Sequence, residues 1–164
     1  MRFAETELIL TPENRVYHIN LKNEDVADTV IVVGDQGRVP QISAFFEKID
    51  FTTSHREFIT HTGWFNNKRI TVLSTGIGTD NIDIVMNELD ALVNIDLKTR
   101  TPKEKLTSLN IIRIGTSGSL QADIPVDSFV MGKFGLGLDN MLRSYLIDDI
   151  AEIAMEDAFI KHTN

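Results

Sequence analysis

The sequence predicts an α/β fold with a mixed, largely parallel central sheet flanked by helices. Three observations predict it. Apolar runs of strand length, such as Val30 to Val33, alternate with segments whose apolar residues recur at helical spacing. The first run is wholly β-branched, as suits a strand covered on both faces. Three of the runs end directly in glycine turns, at Gly34-Asp35-Gln36-Gly37, Gly76-Ile77-Gly78 and Gly115-Thr116-Ser117-Gly118. Alternating strands and helices bury a sheet between helical layers, and ligands of such sheets collect at the carboxyl ends of the strands.

Composition bounds the possibilities. The 164 residues are the size of one domain, taken as a single unit over 1–164 with a loose arm over 1–14. The net charge is -8, with acidic residues gathered in the last third at Asp148, Asp149, Glu152, Glu156 and Asp157. Nucleic acid is thereby excluded as a general partner, since it requires a basic footprint. An anionic small ligand needs a local arginine cluster to overcome this field. With no cysteine, disulfides and thiolate metal sites are excluded. The first ten residues lack a signal-peptide core and no run is long enough to span a bilayer, so no membrane partner and a cytoplasmic location are expected.

Taken in order, Arg15 to Leu21 alternates apolar and polar residues, which fits a short extended piece with His18 on its polar phase. Thr29 to Val33 is the first strand. The turn that follows places Gly34 and Gly37 where backbone N–H groups can approach a ligand, with Arg38 as a fixed cation at the helix start. This is the composition of an anion cradle, most simply for phosphate; the alternative is an ordinary βα turn with a surface arginine. Pro40 suits a first helical turn, and Val39, Ile42, Phe45, Phe46 and Ile49 place a helix to about Lys48 with its aromatic residues in the core.

Phe51 to Thr62 and Lys68 to Thr75 read as two strands joined through Trp64-Phe65-Asn66-Asn67, where Asn-Asn tolerates left-handed backbone. Within the first of these, adjacent Arg56 and Glu57 would face opposite sides of the sheet. After Gly76-Ile77-Gly78, Ile82, Val85, Met86, Leu89, Leu92 and Val93 line one face of a helix capped by Thr79 or Asp80. Residues 98–108 form a charged loop. Leu109 to Ile114 is the third strand, with Arg113 inside its apolar run; a buried guanidinium would need a carboxylate or phosphate beside it. Ser128 to Phe134 is a further strand. A final helix from Asn140 to Ile160 buries Leu142, Leu146, Ile150, Ile153 and Ala154.

The set Tyr17-His18-Ile19, Gly34-Asp35-Gln36-Gly37-Arg38, Ser54-His55-Arg56-Glu57-Phe58, Ser74-Thr75-Gly76-Ile77-Gly78 and Arg113-Ile114-Gly115-Thr116-Ser117-Gly118 resembles the nucleoside phosphorylase family, its uridine phosphorylase branch most of all. The resemblance runs from about residue 16 to 142. It implies phosphate-dependent cleavage of a nucleoside to free base and (deoxy)ribose 1-phosphate, with inorganic phosphate as co-substrate and no cofactor. Gly34, Arg38, Arg56, Arg113 and Thr116 are implied as phosphate-binding, Arg113 as the catalytic group, and His18, Thr116, Ser117 and Gly118 as nucleoside-binding. The positions of Arg56 and His18 are implied to serve a neighbouring subunit, His18 at the ribose 5′-hydroxyl, in a homodimer or hexamer.

No metal is implied beyond a monovalent cation that some relatives hold at positions matching Glu57, Ile77 and Asn81. Two departures from the family pattern stand out: Gln36 where proline is common, and Thr79-Asp80-Asn81 in place of a smaller turn. Relatives are longer, so the resemblance marks this chain as an N-terminal portion without the base-recognising part, and predicts weak or absent turnover. Two further readings remain: a non-catalytic phosphate-binding, oligomerising module, and a nucleoside hydrolase of the same superfamily, which would not need the three arginines.

Overall fold

The computed structural model describes residues 2–147 and 149–163. The chain divides into two compact units, Met1–Ser119 and Leu120–Asn164.

The first unit is built on a five-stranded sheet in the order β2-β3-β4-β1-β7. Strand β1 (Thr29–Val33) lies parallel to both β4 (Lys68–Ser74) and β7 (Asn110–Ile114). Strands β2 (Lys48–His55) and β3 (Phe58–Phe65) extend the sheet antiparallel beyond β4. The sheet is thus mixed, with two parallel and two antiparallel pairings. Helix α1 (Arg38–Ser43) follows β1, and α2 (Thr79–Asn94) follows β4. A two-residue pair, β5 (Ile95–Asp96) and β6 (Thr101–Pro102), closes the loop before β7.

The core follows from the apolar runs. Val30, Val32 and Leu73 on the sheet meet Val85, Leu89 and Leu92 of α2 and Val16, Ile19 and Leu21 of the N-terminal segment, all at most 2 % exposed. Each such side chain contributes roughly 1.5–3 kcal/mol of burial. On the other face Val33 and Val72 pack with Val39 of α1. Both faces of β1 are therefore covered, as its β-branched sequence predicts.

Several expectations need correcting. Arg15 to Leu21 is not extended: only Val16 bridges, to Leu10, and the next residues turn, bringing Val16 N–H onto the Leu21 carbonyl at 3.0 Å. The expected loose arm over 1–14 is tied down by Phe3 N–H donating to the Arg100 carbonyl and by the Arg100 guanidinium donating to the Leu8 carbonyl. Helix α1 stops at Ser43, and Phe45 is 73 % exposed, because Lys48 already begins β2.

The run from Phe51 to Thr62 is two strands, not one. It folds back at Arg56-Glu57, where Arg56 takes a left-handed φ of 54°. The Asn66-Asn67 hairpin is present, both residues having positive φ. Neither Thr79 nor Asp80 caps α2; Gly78 occupies the N-cap position with no side-chain cap bond.

In the second unit the sequence predicts more structure than forms. Ser128 to Phe134 is not a strand. The long final helix is a short 3-10 turn, Met141–Ser144, and a separate helix α3, Ile153–Thr163. Asn140 is left-handed (φ 65°) and Tyr145 is extended, so the backbone cannot run on as one helix. Leu142, Leu146, Ile150, Ile153 and Ala154 are not buried. Asp148, counted on the acidic face, lies outside the described residues. No described helix is long and apolar enough to cross a membrane.

Candidate phosphate site and its companion cluster

The parallel pairing fixes where the glycine turns fall. Val33 is in register with Ser74 on one side and Ile114 on the other. The three turns that follow, at Gly34, Gly76 and Gly115, therefore emerge side by side at the carboxyl edge of β4, β1 and β7. The Thr75 amide donates to the Val33 carbonyl at 2.8 Å, tying the first two turns together.

Two arginines reach this edge. The Arg38 guanidinium, at the start of α1, reaches the Thr116 hydroxyl at 3.5 Å. Arg113 is exposed, which overturns the expectation that it is buried and needs a core anion. It lies on the edge strand β7 and curls back over its own turn: its Nη1 is 2.7 Å from where a Cβ on Gly115 would stand. Its Nη2 is 3.7 Å from the corresponding point on Gly34, whose would-be Cβ also stands 2.9 Å from Ile77 Cγ2. Gly34, Arg38, Arg113 and Thr116 are thus brought together, and glycine at 34 and 115 is what gives Arg113 its room. Neither arginine pairs with a carboxylate among the described residues. The nearby Asp35 carboxylate instead accepts the Gly37 amide at 2.9 Å, inside its own turn.

Ser117 and Gly118 follow Thr116 on the exposed surface. Ile77 and Asn81 flank the Gly76 turn, which has a φ of 68°; Asn81 Nδ2 is 3.0 Å from where a Gly76 Cβ would stand. The Glu57 carbonyl accepts from the Ser74 hydroxyl at 3.0 Å, close to the same strand end. Among the described residues no group of three or more His, Cys, Asp or Glu side chains could hold a metal ion.

Arg56 and His18 belong to a second cluster. Arg56 donates to the Tyr17 hydroxyl at 3.3 Å, and its guanidinium lies 5.2 Å from the Tyr17 ring centroid. Tyr17 meets the His18 and His55 rings edge-on at 5.1 and 6.4 Å. The His55 Nδ1 bonds the His18 carbonyl at 2.9 Å. Glu88 of α2 accepts the His18 and Ile19 amides and the His18 ring Nδ1, at 2.7 to 3.1 Å. Among the described residues, no hydrogen bond, ion pair or ring contact joins this cluster to Gly34, Arg38, Arg113 or Thr116.

Three aligned glycine turns with two unpaired arginines are what an oxyanion with several acceptor oxygens requires. The sequence model of the phosphorylase superfamily matches residues 28–149. The chain belongs to the phosphorylase superfamily. Among similar members, the uridine phosphorylase of Thermococcus kodakarensis is 32% identical over 145 residues, covering 88% of this chain and 47% of that relative. A DeoD-type purine nucleoside phosphorylase of Listeria welshimeri is 31% identical over 117 residues, covering 71% of this chain and 45% of its own length.

In three dimensions, the crystal structure of a Trypanosoma brucei nucleoside phosphorylase, described as showing uridine phosphorylase activity, superposes with a TM-score of 0.66 at 35% identity. It covers 72% of this chain and 41% of the trypanosomal one. The chain spans about half the length of the curated relatives it matches.

Tyr17 and His55 lie inside the quoted motifs but receive no role from them, and Glu88 lies outside every motif. Glu88 had a legible signal. It sits three residues after Val85 and four before Leu92, beside the buried stripe of α2, where a carboxylate must find donors.

Proposed function

We propose that this chain supplies the phosphate-holding part of a nucleoside phosphorylase of the uridine phosphorylase type. The observation that carries the reading is the placement of Arg38 beside Thr116 and of Arg113 beside Gly34, all at the strand ends. In this reading inorganic phosphate, the co-substrate, lies across the Gly34 turn. Arg38 and Arg113 orient it, and the Thr116 hydroxyl supplies a further donor. Arg113 is the catalytic group, because it holds the oxygen that attacks the anomeric carbon. That oxygen forms the new C–O bond as the bond to the base breaks, giving ribose 1-phosphate and free base. Positioning and electrostatic support of an oxocarbenium-like transition state carry the rate, and no protein nucleophile or cofactor is needed.

Arg56 and His18 enter the same reading through a neighbouring copy. Within one chain their partners are Tyr17 and Glu88, and in this reading the phosphate site they serve belongs to a second copy. Ser117 and Gly118 line the nucleoside side of the turn, and Glu57, Ile77 and Asn81 are candidate ligands of a monovalent cation at that dimer interface. A cytoplasmic location belongs to the same proposal.

A second reading rests on the same open arginines: a phosphate-binding, self-associating module without turnover. The test is base release from uridine, inosine and adenosine, with and without phosphate, alongside thermal unfolding at rising phosphate. Phosphate-dependent release supports the enzyme. Phosphate stabilisation without release supports the module, at about 2.7 kcal/mol when phosphate reaches a hundred times its Kd. Release that ignores phosphate overturns both and indicates a hydrolase.

A further inference from the structure

We infer that Glu88 is the positioning residue for the His18 imidazole: it fixes the ring as the Nδ1–H tautomer, so that Nε2 presents a bare acceptor to a ligand hydroxyl. This rests on the reading above, in which His18 meets the sugar.

The observations are geometric. The Glu88 side chain is 13% exposed and the His18 side chain 27%, so both are largely withdrawn from water. Glu88 Oε1 is 2.7 Å from His18 Nδ1 and 2.9 Å from the His18 amide, while Oε2 accepts the Ile19 amide at 2.8 Å. The two backbone amides can only donate, so they orient the carboxylate with its lone pairs toward the His18 turn. An ionised carboxylate can only accept, so the ring nitrogen opposite it must carry the proton. In the neutral imidazole that leaves Nε2 without one.

The ring is then held on two further sides. Tyr17 stands edge-on at 5.1 Å, and the His55 ring bonds the His18 carbonyl. Glu88 itself is fixed by α2, whose Val85, Leu89 and Leu92 are fully buried. The carboxylate is thus a rigid anchor and the imidazole a preset acceptor. In the reading above, the donor that meets this acceptor is the 5′-hydroxyl of a nucleoside. It donates to Nε2, whereas a ligand lacking that hydroxyl leaves the acceptor empty.

The test compares the unsubstituted chain with Glu88→Gln, which keeps the shape but places an amide that can donate to Nδ1. Ring 15N NMR at mildly alkaline pH should report Nδ1–H and bare Nε2 in the unsubstituted chain, and a shift toward Nε2–H in the variant. A mixed or Nε2–H ring in the unsubstituted chain, or an unchanged ring in Glu88→Gln, overturns the inference. This readout needs no turnover. It therefore stands or falls separately from the reaction assigned above, whose failure would be loss of phosphate-dependent base release in the unsubstituted chain. Where turnover is measured, Glu88→Gln should reduce the preference for uridine over 5′-deoxyuridine by roughly five- to tenfold, the scale of one hydrogen bond. An equal loss on both substrates would mean that Glu88 only supports the fold, and would overturn the positioning role.

Discussion

The strand-end cradle and the Tyr17–His18–Arg56 cluster both carry arginine, yet they are built in opposite ways. In the cradle, Arg113 is exposed, and among the described residues Arg38 reaches only the Thr116 hydroxyl, at 3.5 Å. In the second cluster the polar groups are partnered: Arg56 with Tyr17, His18 with Glu88 and His55 with the His18 carbonyl. A site that receives an anion leaves its cations open, because the ligand is to be their partner. A group that presents side chains outward is braced from within. Under the proposed function, the first arrangement would await phosphate and the second would serve another copy.

The largest expected effect breaks the cradle. Arg113→Ala should abolish phosphate-dependent thermal stabilisation while leaving the stability without phosphate within about 0.5 kcal/mol, as for other exposed side chains. Differential scanning fluorimetry with and without phosphate checks this. Retained stabilisation would move the anion site elsewhere. Where turnover is present, the same variant should lower it by roughly 100-fold or more, the scale of losing one preorganised electrostatic donor.

Next in size is the space beneath that arginine. Gly34→Ala would set a methyl 2.9 Å from Ile77 Cγ2 and 3.7 Å from the Arg113 guanidinium. Ile77 is 86% exposed and can give way, so the fold should lose under about 1 kcal/mol. The phosphate, which has to approach the same backbone, should bind several-fold more weakly in a titration. Equal binding by both chains would show that the turn glycine is structural only. Gly63→Ala is the counterpart away from both clusters. Its methyl would run into the Lys48 carbonyl oxygen, so the fold, not the ligand, should suffer, by roughly 2–4 kcal/mol in urea unfolding.

The braced cluster invites a gain. Arg56 holds a left-handed φ of 54°, a conformation that strains a residue with a Cβ. Arg56→Gly should raise stability by about 0.5–1 kcal/mol, seen as a Tm higher by a few degrees, while removing whatever the guanidinium does in a neighbouring site. Loss of stability instead would mean that the Tyr17 contact outweighs the backbone strain.

This asymmetry bears on what the sequence could convey. The cradle is local: β-branched Val30 to Val33, then glycine, then arginine, and parallel pairing alone brings three such units to one edge. The phosphorylase family pattern and the mixed sheet were legible for that reason. The hairpin at Arg56 was hidden, because no glycine or asparagine marks it and an arginine pays the conformational cost. The exposure of Arg113 was hidden as well, since an apolar run looks the same on an edge strand as on a central one. Beyond Leu120, apolar periodicity promised a strand and a long helix. None of the described side chains there is buried, so the pattern finds no core within that unit on which to fold.

The smallest expected effect separates both clusters from the sheet beneath them. His61 of β3 bonds the Ser43 hydroxyl at 2.7 Å, and burial pushes its pKa below the usual 6.5. The folded chain therefore resists a proton that the unfolded chain accepts. Stability should be full above about pH 7, fall as the pH drops through the unfolded value near 6.5, and level off below the depressed folded value. His61→Gln should flatten that part of the pH–stability curve in urea titrations and leave phosphate binding untouched, because His61 belongs to neither cluster. A slope that persists in His61→Gln would assign the acid sensitivity to another group.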